Sequence, residues 1–263
     1  MSWIEALILG IVQGLTEFLP VSSSGHLEIG SVLLRLDTSE NLLFAVIVHL
    51  ATALSTLVVY RGDIRDIAVG FFKRRSKESR GFVMRIIISM IPVGIVGFFF
   101  QDEVEIFFAG NMILVGSMLL VTALVLLFSH YRNSGDGEVT ALKAFVIGLA
   151  QAIAVLPGIS RSGATISTAL ILGVDREKAA RFSFLMVIIP IMGAALLKFW
   201  DYLDAVQETT IELTSLIVGF AGAFLSGYLA CKWMIKLVTK GKLVFFAAYC
   251  GVAGLIVIIS QLI

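Results

Sequence analysis

Six runs of this chain, 42–60, 83–100, 111–129, 182–199, 213–231 and 243–262, carry almost no charge and are each long enough to cross a bilayer. A hydrocarbon core about 30 Å thick asks for about 20 apolar residues per helix, so each run predicts a full span. Inside lipid every backbone N–H and C=O needs an internal partner, which leaves helix as the conformation open to such segments. Composition agrees, because 58% apolar and 15% charged residues with a mean hydropathy of +0.98 exclude a water-soluble fold of 263 residues. The expected class is an all-α polytopic membrane protein in one integral membrane domain. Residues 1–19 lack a basic start and a small-residue cleavage site and already carry Glu5, Gln13 and Glu17, so they are expected to be retained rather than cleaved as a signal. A net charge of +1 gives no attraction to nucleic acid. Cys231 and Cys250 lie in or beside apolar segments without metal-like spacing, which supports neither a disulfide framework nor a zinc site.

The remaining apolar material, 3–34 and 141–173, is each time two short pieces around a Pro/Ser/Gly break. Neither piece crosses alone, so each pair predicts a re-entrant helix pair, and non-helical backbone at that depth has to line protein or a water-filled cavity. The two regions resemble each other. A shift of 138 positions superposes Gly10 on Gly148, Gln13 on Gln151, Ser22 on Ser160, Ser24 on Ser162 and Gly25 on Gly163, while Pro20 and Pro157 miss that register by one. Of the 20 Lys and Arg, eight fall in 61–85, two in 132–143, three in 176–181 and four in 232–242, and the loops 101–110 and 200–212 are acidic. By the positive-inside rule the basic loops share the cytoplasmic face if 3–34 and 141–173 do not cross. Both termini then face outward. Three spans separate the two re-entrant units, so the halves, about 1–135 and 136–263, form an inverted-topology repeat, the pointer to a site where broken helices meet.

Within the first break Gln13 and Glu17 share a helical face, and Gly10 and Gly14 let another backbone approach. After Glu17 come Phe18, Leu19, Pro20, Val21, Ser22, Ser23, Ser24, Gly25 and His26. Ionisable residues at membrane depth mark function by default. The plainer alternative makes Glu17 and His26 interfacial residues and the serines helix caps. The second break runs Leu156, Pro157, Gly158, Ile159, Ser160, Arg161, Ser162, Gly163, Ala164, Thr165. Glycines, hydroxyls and a helix starting near Ser162 offer N–H donors and a positive dipole end to an oxyanion, and Arg161 adds a donor fork suited to phosphate. A structural pair between Arg161 and Glu17, pinning the two repeats together, is compatible with that role.

Other features point elsewhere. His49 lies in an otherwise apolar span, as either a supporting polar group behind a site or an interhelical hydrogen bonder. His130 beside Arg132 reads as interfacial, the basic run 73–77 as a topology determinant with affinity for anionic lipid, and Phe98–Phe100, Trp3, Trp200 and Trp233 as interfacial belts or packing.

The stretch Gln13-x3-Glu17-Phe18-Leu19-Pro20-Val21-Ser22-Ser23-Ser24-Gly25-His26 and the stretch Pro157-Gly158-Ile159-Ser160-Arg161-Ser162-Gly163-Ala164-Thr165 resemble the two motifs of the undecaprenyl-diphosphate phosphatase family (UppP or BacA). The resemblance covers essentially the whole chain. The family's first acidic motif begins with Glu or Gln; this chain has Gln13, leaving Glu17 as the single carboxylate there. Carried over by position, the family's functional residues fall on Glu17, Ser23, His26, Ser160, Arg161 and Thr165, with Gln13 beside them. With the residues of the breaks this makes Glu17, Ser23, His26 and Arg161 the candidate catalytic residues and Gln13, Ser22, Gly158, Ser160, Ser162 and Thr165 the candidate substrate-binding ones. The implied activity is hydrolysis of undecaprenyl diphosphate to the monophosphate and inorganic phosphate in the bacterial plasma membrane, at a site opening to the outer face. That reaction recycles the lipid carrier of cell-wall synthesis and lowers sensitivity to bacitracin. A divalent cation (Mg²⁺ or Ca²⁺) held partly by Glu17 would offset phosphate charge. The nucleophile is Ser23, His26 or water. Expected partners are the polyprenyl diphosphate and the bilayer, with room for a homodimer. Type-2 phosphatidic acid phosphatases place a nucleophilic His six residues after a Ser-Arg motif, and here that position is Ser167. A polyprenyl-phosphate flippase using the same residues is the alternative from another class, distinguished by phosphate release with turnover.

Overall fold

The computed structural model describes residues 1–36, 38–72, 76–100, 111–132, 135–193 and 211–262. Among them helix is the only regular secondary structure, with one isolated parallel bridge between Gly137 and Val174. In chain order the helices are α1 (Trp3–Phe18), α2 (Ser23–Leu33), α3 (Thr38–Val59), α4 (Arg61–Phe72), α5 (Lys77–Phe99), α6 (Met112–Tyr131), α7 (Ala141–Ile153), α8 (Arg161–Ile171), α9 (Arg176–Met186), α10 (Leu213–Thr239) and α11 (Val244–Ile259). Starts follow capping chemistry. Ser2 and Glu5 form a capping box at α1, and side chains of Ser22, Asn111, Thr140, Ser160 and Asp175 take N–H groups of the turns they open. α1 stops where Leu19, forced extended before Pro20, leaves helical geometry.

α5, α6 and α10 are long and apolar enough to cross a membrane, and residues 43–59 with α4 qualify as a fourth span bent by 73°. The run expected at 243–262 is realised as the 16-residue α11, a shorter apolar helix. The run expected at 182–199 is not one uninterrupted helix. α9 begins earlier, at Arg176, turns at Val187 and resumes over 188–193. Pro190 supplies no N–H to the Met186 carbonyl, which weakens the ladder at that turn. Residues 194–199, the acidic loop 101–110, residues 200–210 with Trp200, Lys198 and most of the basic run 73–77 lie outside the described residues.

Small residues set how close the helices come. A Cβ on Gly10 would lie 2.3 Å from the Gly219 carbonyl oxygen, and one on Gly14 2.5 Å from that of Ala223, so α1 lies directly on α10 as the Gly10/Gly14 pair predicts. α7 meets α5 in the same way, Gly148 facing the Ser89 carbonyl at 2.3 Å. α6 and α11 cross at Gly116 and Gly254, each of whose Cβ would strike the other's carbonyl oxygen, at 2.9 and 2.7 Å. The interior holds Phe18, Phe182, Phe184, Leu119, Leu126 and Met234, fully buried. The outer surface is apolar: Leu124, Leu225, Leu229, Phe245 and Ile256 are all more than 60% exposed, as a lipid-facing wall requires.

Gly10→Ala should therefore destabilise by about 1–3 kcal/mol through overpacking, whereas Gly94→Ala, in open space on α5, should be neutral or slightly stabilising. Unfolding temperatures in detergent check both, and equal effects would contradict the packing described.

Candidate active site

The two breaks are built alike from local rules. In the first, Ser22 caps α2 by accepting the Gly25 N–H at 3.3 Å, and its own backbone is held at φ +70°. A non-glycine residue there stores strain of the kind found at functional turns. In the second, Ser160 caps α8 by accepting the Gly163 N–H at 3.1 Å. Gly158, at φ +95°, has no room for a side chain, since a Cβ would lie 2.4 Å from the Val115 carbonyl oxygen. Thr122 of α6 spans this break, donating to the Gly158 carbonyl (3.1 Å) and accepting the Ser160 N–H (3.0 Å).

The breaks also touch each other. A Cβ on Gly25 would sit 3.3 Å from Gly158 Cα, and one on Gly163 3.3 Å from Pro20 Cβ. Ser162 Oγ donates across the gap to the Leu19 carbonyl at 3.2 Å. Where they meet, Glu17 is the hub. Arg161 Nη2 donates to its Oε1 at 3.1 Å, while Ser23 Oγ (2.6 Å) and Gln13 Nε2 (2.9 Å) donate to Oε2. The Glu17 side chain is 5% exposed and that of Arg161 26%. A carboxylate so deep is tenable only when paired and hydrogen-bonded on both oxygens.

Beside this pair lies a cavity of about 20 Å³, room for about one water. Its polar lining is Glu17, Arg161, Ser162 and Thr165 from the two breaks with Thr52 and Thr56 of α3 and Ser183 of α9, and Phe18, Phe184, Val187 and Ile191 complete the wall. Thr165 Oγ1 donates back to the Arg161 carbonyl at 2.9 Å. His49 approaches from α3. Its Nδ1–H donates to the Ala45 carbonyl at 2.7 Å, which fixes that proton and leaves Nε2 facing Glu17 Oε2 at 3.7 Å.

Of the residues expected from the sequence, Gln13, Glu17, Ser23, Arg161, Ser162 and Thr165 are gathered here. Ser22 and Ser160 are the caps of the two inner helices, and Gly158 packs on α6. His26 takes a different direction. Its Nδ1–H donates to the Ser22 carbonyl at 2.8 Å, so Nε2 accepts from the Tyr249 hydroxyl at 2.6 Å, with the two rings stacked at 5.6 Å. Thr52, Thr56 and Ser183 were not legible as site residues. The i, i+3, i+7 spacing of His49, Thr52 and Thr56 places them on one face of α3, the one signal that could have found two of them.

No cluster of three or more His, Cys, Asp or Glu is present among the described residues. Oxygen donors for a hard cation are nevertheless at hand. Gln13 Oε1 is buried without a hydrogen-bond partner next to the Glu17 carboxylate.

Truncating Arg161 leaves Glu17 buried and unpaired. Arg161→Ala should cost about 3 kcal/mol, and adding Glu17→Gln should recover part of that loss; detergent unfolding of the single and double variants measures the coupling. Additive losses would mean the pair is not the lock described.

Comparison with known proteins bears on what such a site serves. Residues 6–256 match the model of the family described as bacitracin resistance protein BacA. The chain is 55% identical to the undecaprenyl-diphosphatase of Bacteroides thetaiotaomicron and 54% identical to that of Parabacteroides distasonis, each over the full length of both chains. It is also 41% identical to the undecaprenyl-diphosphatase of Halothermothrix orenii over 98% of each chain. With both broken-helix motifs inside the matched region, the chain belongs to the BacA family.

Proposed function

We propose that this protein is an undecaprenyl-diphosphate phosphatase, which cleaves the terminal phosphate from the lipid diphosphate and returns the monophosphate carrier, and that the Glu17–Arg161 cavity is where it does so. The observation that carries the placement is the buried ion pair joining one break to the other, at 3.1 Å and beside a hydroxyl-lined cavity. Phosphoryl transfer is mostly positioning and charge neutralisation. Arg161 and the backbone N–H groups at the α8 N-terminus form a cradle for phosphate oxygens, and Ser162 and Thr165 line it in the first turns of that helix with their hydroxyl hydrogens already on carbonyls.

Ser23 Oγ is the nucleophile of this reading, because its hydrogen already lies on Glu17 Oε2 and a nucleophile within reach of an oriented base is the recurring arrangement. Glu17 takes the Ser23 proton as Oγ bonds to the terminal phosphorus and the bridging P–O bond breaks. The lipid monophosphate departs with that electron pair, and water then releases inorganic phosphate from Ser23. His26, bound to Tyr249, orients α2. Glu17 and the unpartnered Gln13 Oε1 would hold a divalent cation, a hard ion suited to oxygen donors and substrate phosphates. Such an ion supplies neutralisation of phosphate charge.

The same reading gives the protein six spans and two re-entrant pairs, α1–α2 and α7–α8, as an inverted repeat in the bacterial plasma membrane, with both termini and the mouth of the site on the outer face. Three reciprocal contacts support it: Gly25 on Gly158 against Gly163 on Pro20, Gly116 against Gly254, and α1 on α10 against α7 on α5. Both breaks come from one chain, so the site needs no second copy even if the protein forms a homodimer.

Purified protein should release inorganic phosphate from a polyprenyl diphosphate, lose turnover in EDTA and regain it with Mg²⁺ or Ca²⁺. Glu17→Ala and Arg161→Ala should each lower kcat by about 10²-fold or more. Rapid quenching should trap a phosphoserine absent from Ser23→Ala; unimpaired turnover in Ser23→Ala would return the role of nucleophile to His26 or water. Lipid movement without phosphate release would replace the phosphatase with a flippase.

A further inference from the structure

Resting on the placement of the active site above, we infer that Ser183 of α9 is a binding residue for the substrate's phosphate, a hydrogen-bond donor that α9 adds to the cavity lined by Arg161. Ser183 is 3% exposed, lines the cavity, and its Oγ has no hydrogen-bond partner among the described residues. Buried hydroxyls without a partner carry a free-energy penalty and are rare.

Its isolation stands out in this molecule. Serines and threonines within these helices habitually donate back to a carbonyl one turn earlier, as Thr16, Ser89, Ser117 and Ser129 do. Ser183 makes no such bond. The other hydroxyls of the cavity have spent their hydrogens: Thr52 on His49 O, Thr56 on Thr52 O, Thr165 on Arg161 O and Ser162 on Leu19 O. A phosphate oxygen takes donors, and those four hydroxyls can offer only lone pairs without breaking a bond already made. Ser183 alone among the lining hydroxyls described here brings an uncommitted O–H. Its position also makes α9, through Phe184 and the turn at Val187, part of the substrate site rather than only of its packing.

A structural serine and a binding serine predict opposite things. Steady-state phosphate release from a polyprenyl diphosphate, with the full chain in detergent and Mg²⁺ present, should show Ser183→Ala losing about tenfold to a hundredfold in kcat/KM, the value of a hydrogen bond to a charged group. Its unfolding temperature should stay level or rise, because an unpartnered buried hydroxyl has been removed. Competitive inhibition by inorganic phosphate should weaken in parallel. Ser183→Cys, which keeps the size with a weaker donor, should fall between the two. Kinetics within about twofold of wild type for Ser183→Ala, or a lower unfolding temperature that accounts for the loss, would overturn the inference. Glu17→Ala and Arg161→Ala run alongside: if they are inactive while Ser183→Ala turns over normally, only the role of Ser183 fails, and if they too turn over normally, the placement of the site fails.

Discussion

A carboxylate cannot sit at this depth alone, and the rest of the architecture answers to that requirement. Glu17 belongs to one break and Arg161 to the other, so neither half of the chain can satisfy its own charge. Their attraction does not by itself repay the loss of hydration. What makes the arrangement tenable is that Ser23 and Gln13 complete the acceptor capacity of Oε2 while Arg161 takes Oε1. The first break thus becomes electrostatically complete only when docked on the second, and the docking holds a cationic fork next to a helix N-terminus, where the proposed function needs phosphate charge to be met.

Close backbone contact is the geometric counterpart. Without a hydrophobic driving force between helices in lipid, packing depends on small residues. The three crossings made by Gly10, Gly148 and the Gly116–Gly254 pair let α1, α7 and α6 approach their partners to carbonyl contact. That places Phe18, at the end of α1, edge-on to Phe184 of α9 at 6.0 Å, and this aromatic pair forms part of the cavity wall. Turning Glu17 toward Arg161 and closing the space above it are consequences of one helix placement.

How much of this could be read from the chain depends on the distance over which the information is stored. The breaks, their caps and their extended prolyl turns are local, and Pro20, Gly158, Ser22 and Ser160 announced them. The pairing of Glu17 with Arg161 was foreseeable because two unlike charges in two related apolar segments have few other places to go. The partner of His26 was not foreseeable, since Tyr249 lies 223 residues away on a helix with no other polar signal. Ser183 was hidden in an apolar run where a serine usually folds back on its own helix. The interruption at Val187 was missed for a similar reason: Pro92 sits inside the unbroken α5, so a proline in a membrane helix does not by itself say whether the helix will yield.

The threonine that bridges the second break has a mechanical meaning. Thr122 Oγ1 stands in for a missing peptide group, accepting an N–H and donating to a C=O on either side of the gap, and so welds that lip of the cavity to α6. Among the described residues no side chain bridges the first break in this way. The Cys250 thiol reaches the Pro20 carbonyl at 3.5 Å, a weak donor at long range, the Ser162 bond to Leu19 belongs to the gap itself, and His26, between the Ser22 carbonyl and Tyr249, ties the start of α2 rather than both sides of the turn. The two lips are therefore unequal in stiffness. On the proposed function, a headgroup larger than the single water the closed space admits is accommodated more cheaply by yielding on the side of Pro20, with the arginine side serving as the fixed jaw.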